Sequence, residues 1–363
     1  MAEKNLDFDT VIDRTHTNSL KYDFAVQRGK PKDVLPLWVA DMDFQVSSYI
    51  QEALAGSVAH GIFGYSEADG SYFEAVAGWM GRHYGWNVEE PWLVKTPGIV
   101  FALAQAVRAF TEPGDAVLLQ QPVYYPFSQV IRDNGRKIVD NTLVQGEDGR
   151  YRIDFADFEE KIRSCKVKLF FLCNPHNPVG RVWTREELLR LGDICEKYGV
   201  IVVSDEIHAD FVFEGSHQVL VGLKESYRKF VVTCTAPSKT FNLAGLQVSN
   251  IFIPDDALRR KFEQAVAASG YSQLNTMGLV ACEAAFRYGE EWYDAVKAYI
   301  RENLAYAQHF LEEQIPQVKT VKPEGTYLLW VDFRSLGLSR KELEELIVKK
   351  AGLWLDSGDI FGA

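Results

Sequence analysis

Lys168-Leu-Phe-Phe-Leu-Cys173 leads into Asn174-Pro-His-Asn-Pro-Val-Gly180, Val200-Ile-Val-Val-Ser204 into Asp205, and Lys229-Phe-Val-Val-Thr-Cys234 into Thr235-Ala-Pro-Ser-Lys239. Each apolar run reads as a short strand buried on both faces, the texture of a parallel sheet. The intervals from Asn177 to Asp205 and from Asp205 to Lys239 each leave room for a βαβ crossover of roughly 30 residues. Between the first two runs, residues 186–198 form an amphipathic helix. Leu188, Leu189, Leu191, Ile194 and Cys195 make its apolar face, and Glu186, Glu187, Arg190 and Glu196 its polar one. In an open parallel sheet, ligands sit beyond the carboxyl ends of the strands. Asn177, Asp205 and Lys239 are therefore expected to converge at one edge.

The alternation of short strands and helices extends over residues 51–289, which predicts an α/β domain built on a mostly parallel sheet flanked by helices. After Gly289 the pattern changes to a long helix at 291–311, a strand at 326–332 and a helix at 340–350. That implies a smaller α+β domain at 290–363. Residues 1–50 look irregular and are expected to pack with the small domain or lie across the site.

The chain has 363 residues, of which 47% are hydrophobic and 25% charged. A chain of this length buries a large core without disulfide or metal staples, and no metal site is expected. A net charge of −11 disfavours nucleic acid or an anionic membrane as partner. The cysteines at 165, 173, 195, 234 and 282 are odd in number and contain no C-x-x-C pair. They read as reduced thiols, which places the protein in the cytoplasm. Residues 1–13 are charged and lack the apolar core of a secretory signal. No apolar run spans a bilayer, and no internal repeat is present.

An amide, a carboxylate and an amine at one sheet edge suit pyridoxal 5′-phosphate (PLP). A lone lysine is usually a solvated surface group, but Lys239 follows an apolar strand in Pro-Ser-Lys-Thr-Phe-Asn-Leu-Ala-Gly. Burial moves a lysine off its ordinary value of about 10.4, as a Schiff-base lysine requires. Asp205, a strand-end aspartate of the kind that also caps helices or binds Mg²⁺, would keep the pyridine nitrogen protonated. A protonated ring is the electron sink for carbanion chemistry. Asn177 would donate to the ring oxygen, although its motif is equally a rigid double-proline turn. Lys95-Thr-Pro-Gly98-Ile99-Val100 opens a helix whose free N–H groups at Gly98, Ile99 and Val100 would face the phosphate; an ordinary turn explains the glycine equally well. Thr235 and Ser238 would add hydroxyls. Tyr124 would stack on the ring or is simply a core aromatic.

Taken together, these residues resemble the fold-type-I PLP enzymes, the aspartate aminotransferase superfamily, over nearly the whole chain. Three features are similar to the cystathionine β-lyase-like C–S lyases. Pro36-Leu-Trp-Val-Ala-Asp-Met-Asp-Phe44 resembles that branch's N-terminal signature and implies that Ala40 and Asp41 border the substrate. Gly61-Ile-Phe-Gly-Tyr65 resembles the segment whose tyrosine reaches the neighbouring subunit's phosphate, which implies a homodimer with shared sites. Ser204-Asp-Glu-Ile-His208-Ala-Asp-Phe211 carries a histidine where aminotransferases usually have tyrosine, which implies a cofactor contact for His208.

Two departures stand out. Eight residues after Lys239, where aminotransferases typically place a phosphate-binding arginine, stands Gln247, which favours the lyase branch. The chain reaches Leu355-Asp-Ser-Gly-Asp-Ile-Phe-Gly362 and Ala363 without the tail arginine that binds the substrate carboxylate in such enzymes, so its C-terminal end is expected to be incomplete. Arg181 reads as structural. The activity implied is β-elimination from L-cystathionine or related cysteine S-conjugates, giving a thiol, pyruvate and ammonia. Lys239 would be the base, with Tyr124 and Tyr65 assisting. The alternatives are an aminotransferase or a PLP-holding regulatory protein.

Overall fold

The computed structural model describes residues 3–362. Its centre is a seven-stranded sheet, here numbered β1 Leu93–Thr96, β2 Ala116–Leu119, β3 Lys137–Asp140, β4 Leu169–Cys173, β5 Ile201–Asp205, β6 Val231–Thr235 and β7 Ser249–Phe252. The spatial order is β1-β7-β6-β5-β4-β2-β3. Only β7 runs antiparallel to its neighbours; the remaining pairs are parallel. Every residue of β4 and β6 is buried. Alternate side chains feed two apolar layers. Phe170, Leu172 and Val202 pack on one face, and Phe171, Cys173, Val203 and Cys234 on the other. Each fully buried apolar side chain of this size contributes about 1.5–3 kcal/mol.

The crossover helix Arg185–Tyr198 matches the expected amphipathic segment. Thr184 and Glu187 form a reciprocal capping box at its start, and Gly199 ends it with φ 66°. Beyond the sheet, the long helix Glu290–Gln314 precedes an antiparallel pair, Lys319–Val321 with Trp330–Asp332. The strand expected at 326–332 is shortened at its start. Thr326 adopts φ 64° and donates its N–H to Phe211 O at 2.7 Å, which ties the chain to the segment after β5 before it can extend. The helix expected at 340–350 is regular over Arg340–Glu344 and then widens into a π-type turn over Glu345–Lys350. Leu35–Pro36 pairs in parallel with Leu353–Trp354. Among the described residues, no helix is long and apolar enough to cross a membrane.

A buried arginine ties the segment around Glu324 to the turn after β4. Arg181 is 2% exposed and pairs with Glu187 at 2.8 Å and Glu324 at 3.0 Å. It also donates to Tyr151 O and lies 4.7 Å over the Trp183 ring. Its neighbour Gly180 (φ 69°) accepts backbone N–H groups from Glu324 and Gly325. A Cβ at Gly180 would come within 2.9 Å of Pro323 Cα, so the approach needs glycine. Arg181→Met removes the buried cation shared by Glu187 and Glu324, although Glu324 keeps Arg150 at 2.7 Å, and its expected cost is about 3 kcal/mol of stability. Urea denaturation measures it, and a loss under 1 kcal/mol would show that the pairing holds nothing together.

Candidate active site

The carboxyl ends of β4, β5 and β6 and the loops after them bring Asn177, Asp205 and Lys239 to one edge. Asp205 is the last residue of β5, in register with Cys173 on β4 and Cys234 on β6. Its carbonyl accepts Asn174 N–H at 2.9 Å, which anchors the Asn174–Gly180 turn. Within that turn Asn177 N–H donates to Cys173 Sγ at 3.3 Å, and Asn177 O accepts Tyr124 N–H at 3.0 Å. The loop after β2 that carries Tyr124 is thereby joined to the loop after β4. Lys239 sits in the one-turn helix Pro237–Thr240 directly after β6.

Burial sets the electrostatics. Asp205 is 4% exposed, and among the described residues its carboxylate accepts one hydrogen bond, from Ile207 N–H at 3.2 Å. Desolvation raises its carboxyl to about 7; the Ile207 bond and the Lys239 charge act the other way but are smaller. Desolvation likewise lowers the Lys239 amine from its ordinary value, against the weaker pull of Asp41 and Asp205. The amine donates to Ala40 O at 2.6 Å. His208 is 2% exposed and pushed down to about 3, first by burial and then by the Lys239 charge, so its ring is neutral at physiological pH. Burial, with lesser help from Tyr125 and Asp205, raises the Tyr124 phenol.

Ala40 and Asp41 belong to an N-terminal arm pinned at this edge. Asn242, three residues after Lys239, accepts Met42 N–H at 2.9 Å and donates to Met42 O at 3.0 Å. Arg14 pairs with Asp41 at 2.8 Å and Asp43 at 2.6 Å, and Lys21 with Asp43 at 2.8 Å. Two other residues enter unannounced by local sequence. Tyr327 OH donates to Ala40 O at 3.1 Å, so one carbonyl serves both the lysine and the tyrosine; the Tyr327 ring also packs edge-on to His208 at 5.8 Å. Asp210 accepts Trp79 Nε1 at 3.0 Å and the hydroxyls of Tyr84 and Thr240, which clamps the residue next to Lys239. Asp210 lay inside a quoted motif, but nothing in its spacing distinguished it. Tyr327 had no signal at all.

Several expected groups stand differently. The Gly98 N–H is not free: it donates to Ser249 Oγ at 3.1 Å. Ile99 and Val100 open the helix Ile99–Phe110, whose first turn leaves N–H groups without intrahelical partners. Thr235 Oγ1 donates to Asn250 O on β7 at 3.1 Å, which commits that hydroxyl to the sheet. Ser238 is half-buried immediately before Lys239. Tyr65 is 96% exposed and makes no contact with the cluster in this chain.

The arrangement fits PLP. Asn177 Oδ1 and His208 Nδ1 are buried polar atoms with no hydrogen-bond partner among the described residues. A Cβ on Gly98 (φ 111°) would meet nothing within 4 Å, so the helix start is open to an approaching group. Asp205 would hold the ring nitrogen, Asn177 the ring oxygen, the Ile99–Val100 amides the phosphate, and Lys239 the aldehyde carbon.

Known proteins agree with this architecture. The chain is 46% identical over 358 residues to cystathionine β-lyase PatB of Bacillus subtilis, covering 98% of this chain and 92% of that one. A PLP-bound protein of Clostridium difficile 630, provisionally named an aminotransferase, superposes with a TM-score of 0.96 at 40% identity, over 99% of this chain and 92% of that one. Cystalysin of Treponema denticola, which contains PLP, superposes with a TM-score of 0.94 at 37% identity, over 98% and 91%. The sequence pattern of aminotransferase class I and II matches residues 32–363, and the chain belongs to that family.

Proposed function

We propose that this protein is a PLP-dependent carbon–sulfur β-lyase that cleaves L-cystathionine or related cysteine S-conjugates to a thiol, pyruvate and ammonia. The observation that carries the reading is the desolvated Lys239 amine held at 2.6 Å by Ala40 O beside the buried Asp205. The relationship to a cystathionine β-lyase supports the substrate class. When bound, PLP supplies an electron sink for the charge left at Cα by proton loss.

Everything else is done by the chain. Lys239, once free of the cofactor, takes the Cα proton, and its lowered pKa keeps a larger fraction of the amine unprotonated near neutrality. Ala40 O fixes the direction of that amine, and Tyr327 OH fixes Ala40 O. Asp205 supplies the negative charge that keeps the ring nitrogen protonated. Neutral His208, buried against the Tyr327 ring, adds no competing positive charge beside Lys239. The raised phenol of Tyr124 stays protonated and available to donate to a leaving thiolate. Tyr65, exposed with Ile62 and Phe63, would complete the phosphate site of a second copy in a cytoplasmic homodimer.

The second reading is an aminotransferase, favoured by the structural match to a protein provisionally so named. Products separate the two. The lyase releases pyruvate and thiol from cystathionine with no keto acid added, whereas strict dependence on a keto-acid acceptor establishes the transaminase.

Lys239→Ala should abolish the borohydride-trappable bond to the cofactor and lower turnover by roughly 10²–10⁴-fold or more. A variant that keeps normal turnover overturns the role of Lys239. Asp205 gives a pH signature in protein stripped of cofactor. Its folded pKa of about 7 lies above the ordinary 3.8, so the fold binds the extra proton. Its contribution to stability is fully present below about pH 4 and is lost as pH rises to about 7. Relative to the stripped parent, Asp205→Asn should therefore gain thermal stability across that window. A melting-temperature difference that stays flat with pH contradicts the assignment.

A further inference from the structure

Asp205 has a second carboxylate at its back. Successive side chains of a strand point to opposite faces of the sheet, so Ser204 and Glu206 face away from Asp205. Glu206 N–H donates to Cys234 O at 2.9 Å, which carries the β5–β6 pairing one residue past the strand and fixes that residue in place. Glu206 is 2% exposed, and three groups donate to its carboxylate: His217 Nε2 at 2.7 Å, Ser204 Oγ at 2.8 Å and Leu220 N–H at 3.4 Å. A carboxylate only accepts, so Nε2 of His217 carries the proton. Among the described residues, no lysine or arginine pairs with Glu206.

The loop that supplies His217 is bound to the same sheet edge. Gln218 O accepts Asn174 Nδ2 at 3.0 Å, and Asn174 N–H in turn donates to Asp205 O. The Tyr84 ring stands edge-on to His217 at 5.2 Å, and its hydroxyl donates to Asp210. Tyr84, Glu206 and Asp210 line one small cavity with Thr235 and Ala236, three residues before Lys239. The titratable groups that feel Asp205 from the elements around it are Tyr124, Cys173, Cys234 and Lys239; Tyr84 and Cys234 also feel Glu206. Burial acts most on the Asp205 carboxyl. After it come the Ile207 bond, which lowers it, Glu206, which raises it, and Lys239, which lowers it. The edge that would receive the ring nitrogen therefore presents one carboxylate to the site and is backed by another across the sheet.

We propose that Glu206, seated by His217, is a positioning residue that acts through Asp205: its fixed negative charge holds the proton shared by Asp205 and the cofactor's ring nitrogen up to a higher pH than Asp205 alone would. A negative charge in a poorly solvated place favours the protonated form of its neighbours, and a protonated ring is the state that withdraws electrons. This rests on the assignment of Asp205 to the ring nitrogen and holds whichever substrate is cleaved.

The test reads the Asp205 proton in protein stripped of cofactor. The gain in melting temperature from Asp205→Asn is measured against pH in the parent, in Glu206→Gln and in Glu206→Asp. In the parent the gain should level off near pH 7, where the Asp205 carboxyl is fully ionised. In Glu206→Gln it should level off about one pH unit lower, the effect of removing one nearby charge. Glu206→Asp keeps the charge and should level off near the parent pH. A merely structural loss lowers the melting temperature at every pH and leaves that point where it was. An unchanged point in Glu206→Gln, or an equal fall in Glu206→Asp, overturns the role. Should stripped Glu206→Gln fail to fold, the PLP-loaded protein carries the comparison, with the nitrogen NMR signal of ring-labelled PLP reporting the proton on the ring. The ring should lose that proton at lower pH in Glu206→Gln than in the parent, and loss at the same pH overturns the role. If the parent gain is flat with pH, the reading of Asp205 fails instead, and the ring signal decides Glu206 by the same two outcomes.

Discussion

Removing Asp205 and Lys239 from water is the constraint around which the rest of the site is organised. Each sits at or just past the carboxyl end of a strand buried at that end, so neither can recover its hydration by turning outward. The outcome is a carboxyl raised to about 7 at the end of one strand and an amine lowered from its usual value just past the end of the next. Perturbations of this kind, caused by burial and located at a sheet edge, are what an acid–base site needs. They also cost stability, and a cationic ring bound against Asp205 would offset that cost.

The N-terminal arm supplies the remaining boundary. Ala40 O holds the lysine, and the arm is held in turn by the two-way Asn242–Met42 bonding and by the Arg14, Lys21, Asp41 and Asp43 ion pairs. The four charges are two of each sign, so the cluster can be partly buried without a net charge. Asn242 couples the arm to Lys239 through the same short stretch of chain. From the C-terminal side, Tyr327 reaches the same carbonyl, and Arg181 with Glu324 secures the segment that carries it. Three distant stretches of chain therefore meet at one backbone oxygen.

The three strands that end at Cys173, Asp205 and Thr235 and the edge that carries Asn177, Asp205 and Lys239 were legible because they rest on local patterns: uninterrupted apolar runs, crossover spacing and turn chemistry. The capped helix Arg185–Tyr198 was legible for the same reason. The Gly98 and Thr235 groups were misplaced because a hydrogen-bond partner is not a local property. Ser249 and Asn250 lie on the antiparallel strand β7, and no pattern around residue 98 or 235 announces them. The truncated strand before Trp330 has the same origin, a backbone bond from Thr326 to Phe211.

By itself, then, the sequence determined which side chains stand at the ends of which strands, since strand period and burial act over a few residues. It also determined the chemistry on offer there, an amine, a carboxylate and an amide. Tertiary structure alone decided which of those groups are free. It tied the Gly98 amide and the Thr235 hydroxyl to β7, left Asn177 Oδ1 and His208 Nδ1 without hydrogen-bond partners among the described residues, and brought Tyr327 to Ala40 across 287 residues of chain. The physical reason is that desolvation and hydrogen bonding depend on what packs nearby in space, whereas strand and helix formation depend mainly on what is adjacent in the chain.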